Sequence, residues 1–201
     1  MNTDQTPTTA PDGPRSRGFN CCAIAAIVLL VLFGLGGMAL TEFEKGIDGY
    51  GQLEGGLAGS VAEPLGAGTT ARYEDGLKIT VSRPKQEPDG SYGFTVTYDN
   101  GTDEEVRPGG AGPGSSVGTT GSAPLVVRAG KSLDDHTTVP ALTWLNPDAC
   151  AAALAPPLGK GRKLSVPVRV RPGTTGSPIT VQVAPKSAGF RETAYWQFDL
   201  G

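Results

Sequence analysis

The pattern of apolar and polar positions divides the chain into two parts with different periodicities. The first part contains an uninterrupted apolar run without charged residues, from Cys22 to Leu40. The second part begins at Thr69 and contains short segments in which apolar and polar residues alternate. Such alternation is typical of strands that bury one face. The pattern therefore predicts one long apolar helix followed by an all-β domain.

The apolar run is long enough to cross a bilayer. A hydrocarbon core of about 30 Å needs about 20 helical residues, and we predict a transmembrane signal anchor over residues 20–41. Anchor residues expected to contact lipid include Cys22, Ala23, Leu29, Leu30, Leu32, Phe33 and Leu40. Cleavage after Ala39 is an alternative, because Gly37-Met38-Ala39 resembles a signal-peptidase site.

The charges that flank the run predict its orientation. Arg15 and Arg17 precede the run, and the acidic residues Glu42, Glu44 and Asp48 follow it. By the positive-inside rule, the N-terminus is expected in the cytoplasm and the C-terminal domain outside the cell. The chain is thus predicted to be a single-pass membrane protein.

The segments on either side of the anchor lack regular apolar periodicity. Residues 1–19 are rich in threonine and proline and are predicted to form a disordered cytoplasmic tail. Residues 42–68 are rich in glycine, which predicts a flexible spacer without packed elements. The folded domain is then expected over residues 69–201.

Seven alternating segments in this domain predict short strands. They are Ala71–Tyr73, Leu77–Val81, Tyr92–Asp99, Pro124–Arg128, Leu164–Arg171, Ile179–Val183 and Ala194–Leu200. Asn146-Pro147-Asp148 is a helix start, so a short helix is expected over 147–154. Pro167 lacks an N–H group and predicts an edge or bulged position. The pattern favours a two-sheet antiparallel sandwich, with a closed barrel as the alternative.

The order of these segments resembles a known family. YEDGLKITVSRP, GFTVTYDNGTDEEV and the valine-rich strand before PITVQVAP resemble DUF4352-type immunoglobulin-like domains. Those occur in secreted or membrane-anchored proteins of Gram-positive bacteria, especially actinobacteria. The resemblance covers residues 69–201, although the 107–123 loop, the 147–154 helix and the Gly159-Lys160-Gly161 turn depart from the family pattern. It implies an immunoglobulin-like β-sandwich that is extracytoplasmic and non-catalytic.

Composition and motifs narrow the function classes. The net charge is −3 and no basic block follows the N-terminal tail, so no nucleic-acid partner is expected. No sequence matches a P-loop or a dinucleotide-binding loop. We therefore expect neither an enzyme nor a cofactor. The expected partners are the bilayer, through one helix, and an unidentified protein or component of the cell envelope.

One turn carries a possible cation site. Asp99, Asp103, Glu104 and Glu105 crowd carboxylates around the predicted Asn100-Gly101 turn. Calcium takes six to eight oxygen ligands, and such a cluster supplies several of them. The alternative is a solvated acidic turn, since the spacing matches no EF-hand loop. These residues support a second hypothesis, a calcium or small-ligand sensor.

The remaining candidates each have a structural alternative. His136 beside Asp134 and Asp135 is a weak zinc ligand set, and polar loop histidines are commoner. Cys150 is a candidate nucleophile with His136, a candidate intermolecular disulfide or a buried small hydrophobe. The aromatic residues Trp144, Tyr195 and Trp196 supply either a binding anchor or, as we expect, core packing.

Overall fold

In this computed structural model, the structure describes residues 51–110, 116–119, 121, 123–130, 142–174, 176, 178–185 and 190–201. The predicted tail, the predicted anchor and residues 42–50 lie outside the described residues. Within the described ranges, no helix is long and apolar enough to span a bilayer.

The alternating segments form strands, because alternation lets each strand bury one face and expose the other. The described residues contain ten strands and one helix: β1 (Thr70–Arg72), β2 (Leu77–Val81), β3 (Lys85–Gln86), β4 (Tyr92–Asn100), β5 (Val117–Gly118), β6 (Leu125–Ala129), β7 (Leu142–Trp144), α1 (Pro147–Leu154), β8 (Lys163–Pro172), β9 (Pro178–Val183) and β10 (Ala194–Asp199). All seven predicted strands and the predicted helix are confirmed. The short strands β3, β5 and β7 were not predicted.

The strands form two sheets. The larger sheet has the order β1-β2-β4-β8-β7, and β3 also pairs with β4. The smaller sheet has the order β10-β9-β6-β5. Among the described strands, only β5 and β6 pair in parallel. The fold is therefore the predicted all-β antiparallel sandwich.

The core lies between the two sheets. Its fully buried side chains come from alternate positions, among them Leu77, Ile79, Val81, Val96, Tyr98, Val166, Val170, Ile179, Val181 and Trp196. Phe94 of β4 and Phe198 of β10 meet edge to face, with ring centroids 5.8 Å apart and ring planes at 86°. Aromatic pairs favour this geometry, and this pair links the larger sheet to the smaller one.

Helix α1 begins where the sequence predicted, but Asn146 does not cap it. The Asn146 side chain makes no capping hydrogen bond. Its amide instead lies beside β8, donating from Nδ2 to the Pro167 carbonyl at 2.8 Å and accepting from the Arg169 N–H at 2.8 Å. The side chain thus continues the β7–β8 hydrogen-bond ladder beyond the end of β7.

This arrangement explains how β8 tolerates Pro167. Strand β8 lies between β4 and β7, so the predicted edge position is wrong for the strand as a whole. However, the last β7–β8 pair joins Trp144 to Val170, and Pro167 lies beyond it. The Pro167 carbonyl accepts instead from Asn146 and from the Cys150 thiol. Pro167 therefore lies where β7 no longer pairs with β8, so its missing N–H removes no hydrogen bond between these two strands.

Residues 51–68 are part of the folded domain, contrary to the predicted spacer. We call this segment the strap. Leu53 pairs with Tyr73 next to β1, and Leu65 pairs with Trp196 of β10. The Leu53 side chain is only 6% exposed and joins the core. Glycine-rich composition was misleading because the strap is held mainly by backbone hydrogen bonds, which glycine forms as well as any residue.

A buried ion pair fastens the strap. Arg191 Nε lies 2.6 Å from Asp75 Oδ2, and the two side chains are 3% and 0% exposed. The neighbouring Glu192 accepts the Leu53 N–H at 2.8 Å through its carboxylate. The Glu192 N–H donates to the Gly51 carbonyl at 2.9 Å. The segment before β10 therefore ties the strap to the β1–β2 turn.

We expect Leu53→Ala to lower the free energy of unfolding by about 2–5 kcal/mol, as typical for a truncated core leucine. The matched control is Leu57→Ala in the same strap, because Leu57 is 67% exposed and its truncation is expected to cost less than about 0.5 kcal/mol. Urea unfolding followed by tryptophan fluorescence measures both. Equal, small effects would show that the strap does not contribute to the core.

Candidate functional site

The acidic turn after β4 is shaped by Asn100, whose side chain is fully buried. Its Nδ2 donates to the carbonyls of Glu104 and Leu158, each at 2.8 Å. Its Oδ1 accepts from the N–H of Thr102 at 3.0 Å and from the Thr102 hydroxyl at 2.7 Å. The side chain therefore closes the turn through four hydrogen bonds.

Gly101 is required by a close approach and not by a left-handed backbone. Neither Asn100 nor Gly101 has a positive φ. A Cβ atom at Gly101 would lie 2.6 Å from the Gly76 carbonyl oxygen. The β1–β2 turn and the β4 turn therefore touch backbone to backbone.

The four carboxylates proposed as calcium ligands are not brought together. In the described residues, no group of three His, Cys, Asp or Glu side chains is placed to hold a metal ion. Asp99 pairs with Lys163 at 3.0 Å, Glu105 pairs with Arg107 at 3.2 Å, and Asp103 pairs with Lys160. Glu104 contributes its carbonyl to the Asn100 amide.

Cys150 is buried in helix α1, and its thiol donates to the Pro167 carbonyl at 3.2 Å. Burial raises the pKa of this thiol above its usual range. Reactive cysteines are exposed and have lowered pKa values, so this geometry suits the predicted small hydrophobe. His136, Asp134 and Asp135 lie outside the described residues, as do Cys21 and Cys22.

The tryptophans belong to the core, as expected. Trp196 is fully buried and its indole N–H donates to the Thr69 carbonyl at 2.9 Å. Trp144 is 9% exposed and donates to the Asn146 carboxamide oxygen at 3.2 Å. Tyr195 is half-buried. These two indole rings are therefore not exposed binding anchors.

A β-bulge on the larger sheet creates a different candidate site. Val81 pairs with Val96, and Lys85 pairs with Gly93. Three residues therefore separate the paired positions on the β2–β3 side, while two separate them on β4. The extra residue bends the strand away from β4, as bulges do. Pro84 lies in this bulge, where its missing N–H costs no ladder bond.

The bulge opens a groove of about 500 Å³ on the outer face of the sheet. We call it the β3–β8 groove. Its lining includes Ser82, Arg83, Lys85, Glu87, Gly93, Thr95, Pro167 and Arg169. Three of these side chains are cationic and one is anionic, so the groove is basic although the whole chain is acidic. The site combines a concave shape with a local charge opposite to the net charge.

An ion-pair network closes one end of the groove. The Arg169 guanidinium donates from Nε to the Glu87 carboxylate at 2.8 Å, and its Nη2 contacts the same oxygen. Arg169 and Arg171 also lie 3.4 and 3.3 Å from the Asp89 carboxylate. The Ser91 hydroxyl lies 2.9 Å from a Glu87 carboxylate oxygen and 2.5 Å from an Asp89 carboxylate oxygen, so the two carboxylates share its single proton. Arg169 is therefore largely neutralised within the protein.

This network changes the acidity of its carboxylates. The hydrogen bond from Arg169 lowers the pKa of Glu87 below its ordinary value, with the Ser91 hydroxyl as a second cause. Hydrogen bonds from the Ser91 hydroxyl and N–H lower the pKa of Asp89. Both carboxylates therefore remain charged throughout the neutral range.

Two other cations in the groove are not neutralised in this way. The side chains of Arg83 and Lys85 are exposed and form no hydrogen bond or ion pair with another residue that the structure describes. The sequence analysis did not single out these residues. The sequence indicates them only as an Arg-Pro-Lys segment without directly adjacent acidic residues between two alternating strands. The bulge that brings this segment to the groove depends on pairing with β4, which the sequence does not show.

No protein-family model matches this chain, and comparison with curated proteins finds no similar sequence. The resemblance to DUF4352-type domains therefore stays a prediction. The candidate site rests on the geometry of the groove.

We expect Arg169→Gln to raise the pKa of Glu87 towards its ordinary value, because the main group that lowers it is lost. The return should be partial, since the Ser91 hydroxyl remains. A carbon-detected NMR titration of the glutamate carboxyls measures this pKa. The control is Arg171→Gln, which contacts Asp89 and not Glu87; an equal shift in both variants would contradict the assigned pair.

Proposed function

We propose that this chain is a membrane-anchored, extracytoplasmic and non-catalytic domain that binds a protein or cell-envelope partner through the β3–β8 groove. The observation that carries the binding role is this basic groove, which holds two exposed cations without partners among the described residues. Loops and irregular strand positions on a rigid sandwich commonly carry recognition, and the bulge is such a position.

The proposed anchoring rests on the apolar run and its flanking charges. A run of this length with arginines before it and acidic residues after it is typical of an uncleaved anchor. The proposed immunoglobulin-like class rests on two packed antiparallel sheets of short strands, together with the resemblance to DUF4352-type domains.

The chemistry of the groove supports a non-catalytic role. Its lining contains neither histidine nor cysteine, and the Ser82 hydroxyl accepts the N–H of Thr95 at 2.9 Å. A nucleophile needs a neighbouring base that in turn is oriented by a third group. No such arrangement lines this groove, whereas cations beside a shallow concave floor suit binding.

The calcium-sensor alternative gains no support from the acidic turn. Three of its four candidate carboxylates already face lysine or arginine side chains. A cation would have to displace these partners and also gather carboxylates that the Asn100 side chain holds on a closed turn. The acidic turn therefore suits a solvated, ion-paired surface better than a cation site.

The topology is tested with epitope tags at the two ends of the full chain. We expect antibodies to reach a C-terminal tag on intact, wall-stripped cells, because the sandwich follows the anchor. An N-terminal tag should become accessible only after lysis, since the arginines hold that end inside. Accessible N-terminal tags with protected C-terminal tags would overturn the proposed orientation, and loss of both tags from the membrane fraction would overturn the anchor.

A further inference from the structure

Two cationic side chains flank the floor of the β3–β8 groove in one row. Lys85 pairs with Gly93, and Gly93 pairs with Arg169 on its other side. The three residues therefore lie side by side across three strands, so the backbones of Lys85 and Arg169 are two strand spacings apart, about 10 Å. Because Gly93 has no side chain, a neighbouring side chain can lie over β4 between the two cations.

The same glycine lets Glu87 reach across the strand. A Cβ atom at Gly93 would lie 2.9 Å from the Glu87 Oε1 atom. Glu87 uses this space to hold Arg169. The carboxylate of Glu87 thus occupies the end of the groove where an external anion would otherwise meet Arg169.

Arg83 belongs to the bulge and lines the groove, and its side chain packs against the strap. Its aliphatic stem lies over Gly68 of the strap, where a Cβ atom would be 3.3 Å from the Arg83 Cγ atom. Gly68 also has a φ of +86°, which few other residues adopt. The strap therefore positions Arg83 beside the groove, where its guanidinium forms no ion pair with the residues that the structure describes.

The floor adds a neutral donor. Thr95 is half-buried between Ser82 and Pro167, and its hydroxyl forms no hydrogen bond with another described residue. Pro167, its partner on β8, has an exposed ring. The groove thus offers a guanidinium, an ammonium and a hydroxyl as donors over a small floor.

From this arrangement we infer that the β3–β8 groove binds a phosphate group, with Arg83, Lys85 and Thr95 as donors. The inference rests on the proposed function as a binding domain and names the class of its ligand. A tetrahedral phosphate presents oxygens in several directions and can accept from the two cations on the β2–β3 side of the groove and from the Thr95 hydroxyl on its floor. A carboxylate presents its lone pairs in one plane and matches a single guanidinium better.

Glu87 sets an upper limit on the affinity of this site. Its carboxylate repels an incoming phosphate and keeps Arg169 engaged. Glu87→Gln removes that charge and weakens the hold on Arg169, so the variant should bind phosphate more tightly than the natural chain. A merely adhesive basic surface would respond far less to this one carboxylate.

The test uses the full chain, purified in a non-ionic detergent, and calorimetric titration. Pyrophosphate probes a free phosphate, glycerophosphoglycerol probes a lipid headgroup without its acyl chains, and tricarballylate probes a carboxylate. The variants are Arg83→Ala with Lys85→Ala, Thr95→Val and Glu87→Gln. The matched control is Lys78→Ala, because Lys78 is exposed on the same sheet, in β2, outside the groove.

We expect the double variant to weaken phosphate binding about tenfold or more, since each charge-assisted contact contributes measurably to affinity. Thr95→Val should weaken it less, Glu87→Gln should strengthen it, and Lys78→Ala should leave it within about twofold. Groove-dependent binding of pyrophosphate or of glycerophosphoglycerol supports the inference and assigns the source of the phosphate.

Absence of saturable phosphate binding overturns the inference, as does equal loss in the Lys78 control. Tighter binding of tricarballylate than of pyrophosphate also overturns it, in favour of an acidic peptide or another carboxylate. Melting temperatures of the variants confirm that the exposed substitutions leave the fold intact. Binding is measured on purified protein, so its failure is distinguishable from a failure of the tag experiment, which concerns placement alone.

Discussion

The buried ion pair between Asp75 and Arg191 is the contact on which the closure of this sandwich depends. Sheets present unpaired N–H and C=O groups at their edges, which invite pairing with other chains. Here the strap covers the outer edges of β1 and β10, and the ion pair lies where the strap meets both sheets. Removing one partner of such a pair leaves an uncompensated buried charge. The strap, the edges and the pair therefore form one cooperative unit.

The groove shows how one irregular position gives a regular sheet a binding surface. Strand β4 keeps its alternation of buried and half-buried positions along its whole length, opposite the bulge as well, so the core is undisturbed. On the outer face, Arg83 of the bulge lines the groove, and the missing side chain of Gly93 makes room for the Glu87 carboxylate. Stability and recognition are thus carried by opposite faces of the same strands.

The sequence predicted what local periodicity determines. Alternation located every long strand, and Pro147 located the start of the helix within the described residues. The sequence did not predict the strands whose formation depends on a neighbouring strand. β3 and β7 contain only two and three residues, and they are strands because they pair with β4 and β8. The strap was missed for the same reason. The groove depends on a one-residue difference between two paired segments, which no single segment reveals.

The Asn100–Gly101 turn links the fold to the chemical ageing of the protein. An asparagine before glycine is prone to deamidation, because the glycine nitrogen readily attacks the side-chain amide when the backbone is free to move. In the folded chain, the Asn100 amide is held between the carbonyls of Glu104 and Leu158. Deamidation during an unfolding event would place a carboxylate oxygen against those two carbonyls in a buried site, an arrangement that costs free energy. Each unfolding event thus allows Asn100 to deamidate, and the aspartate that results would make refolding less favourable.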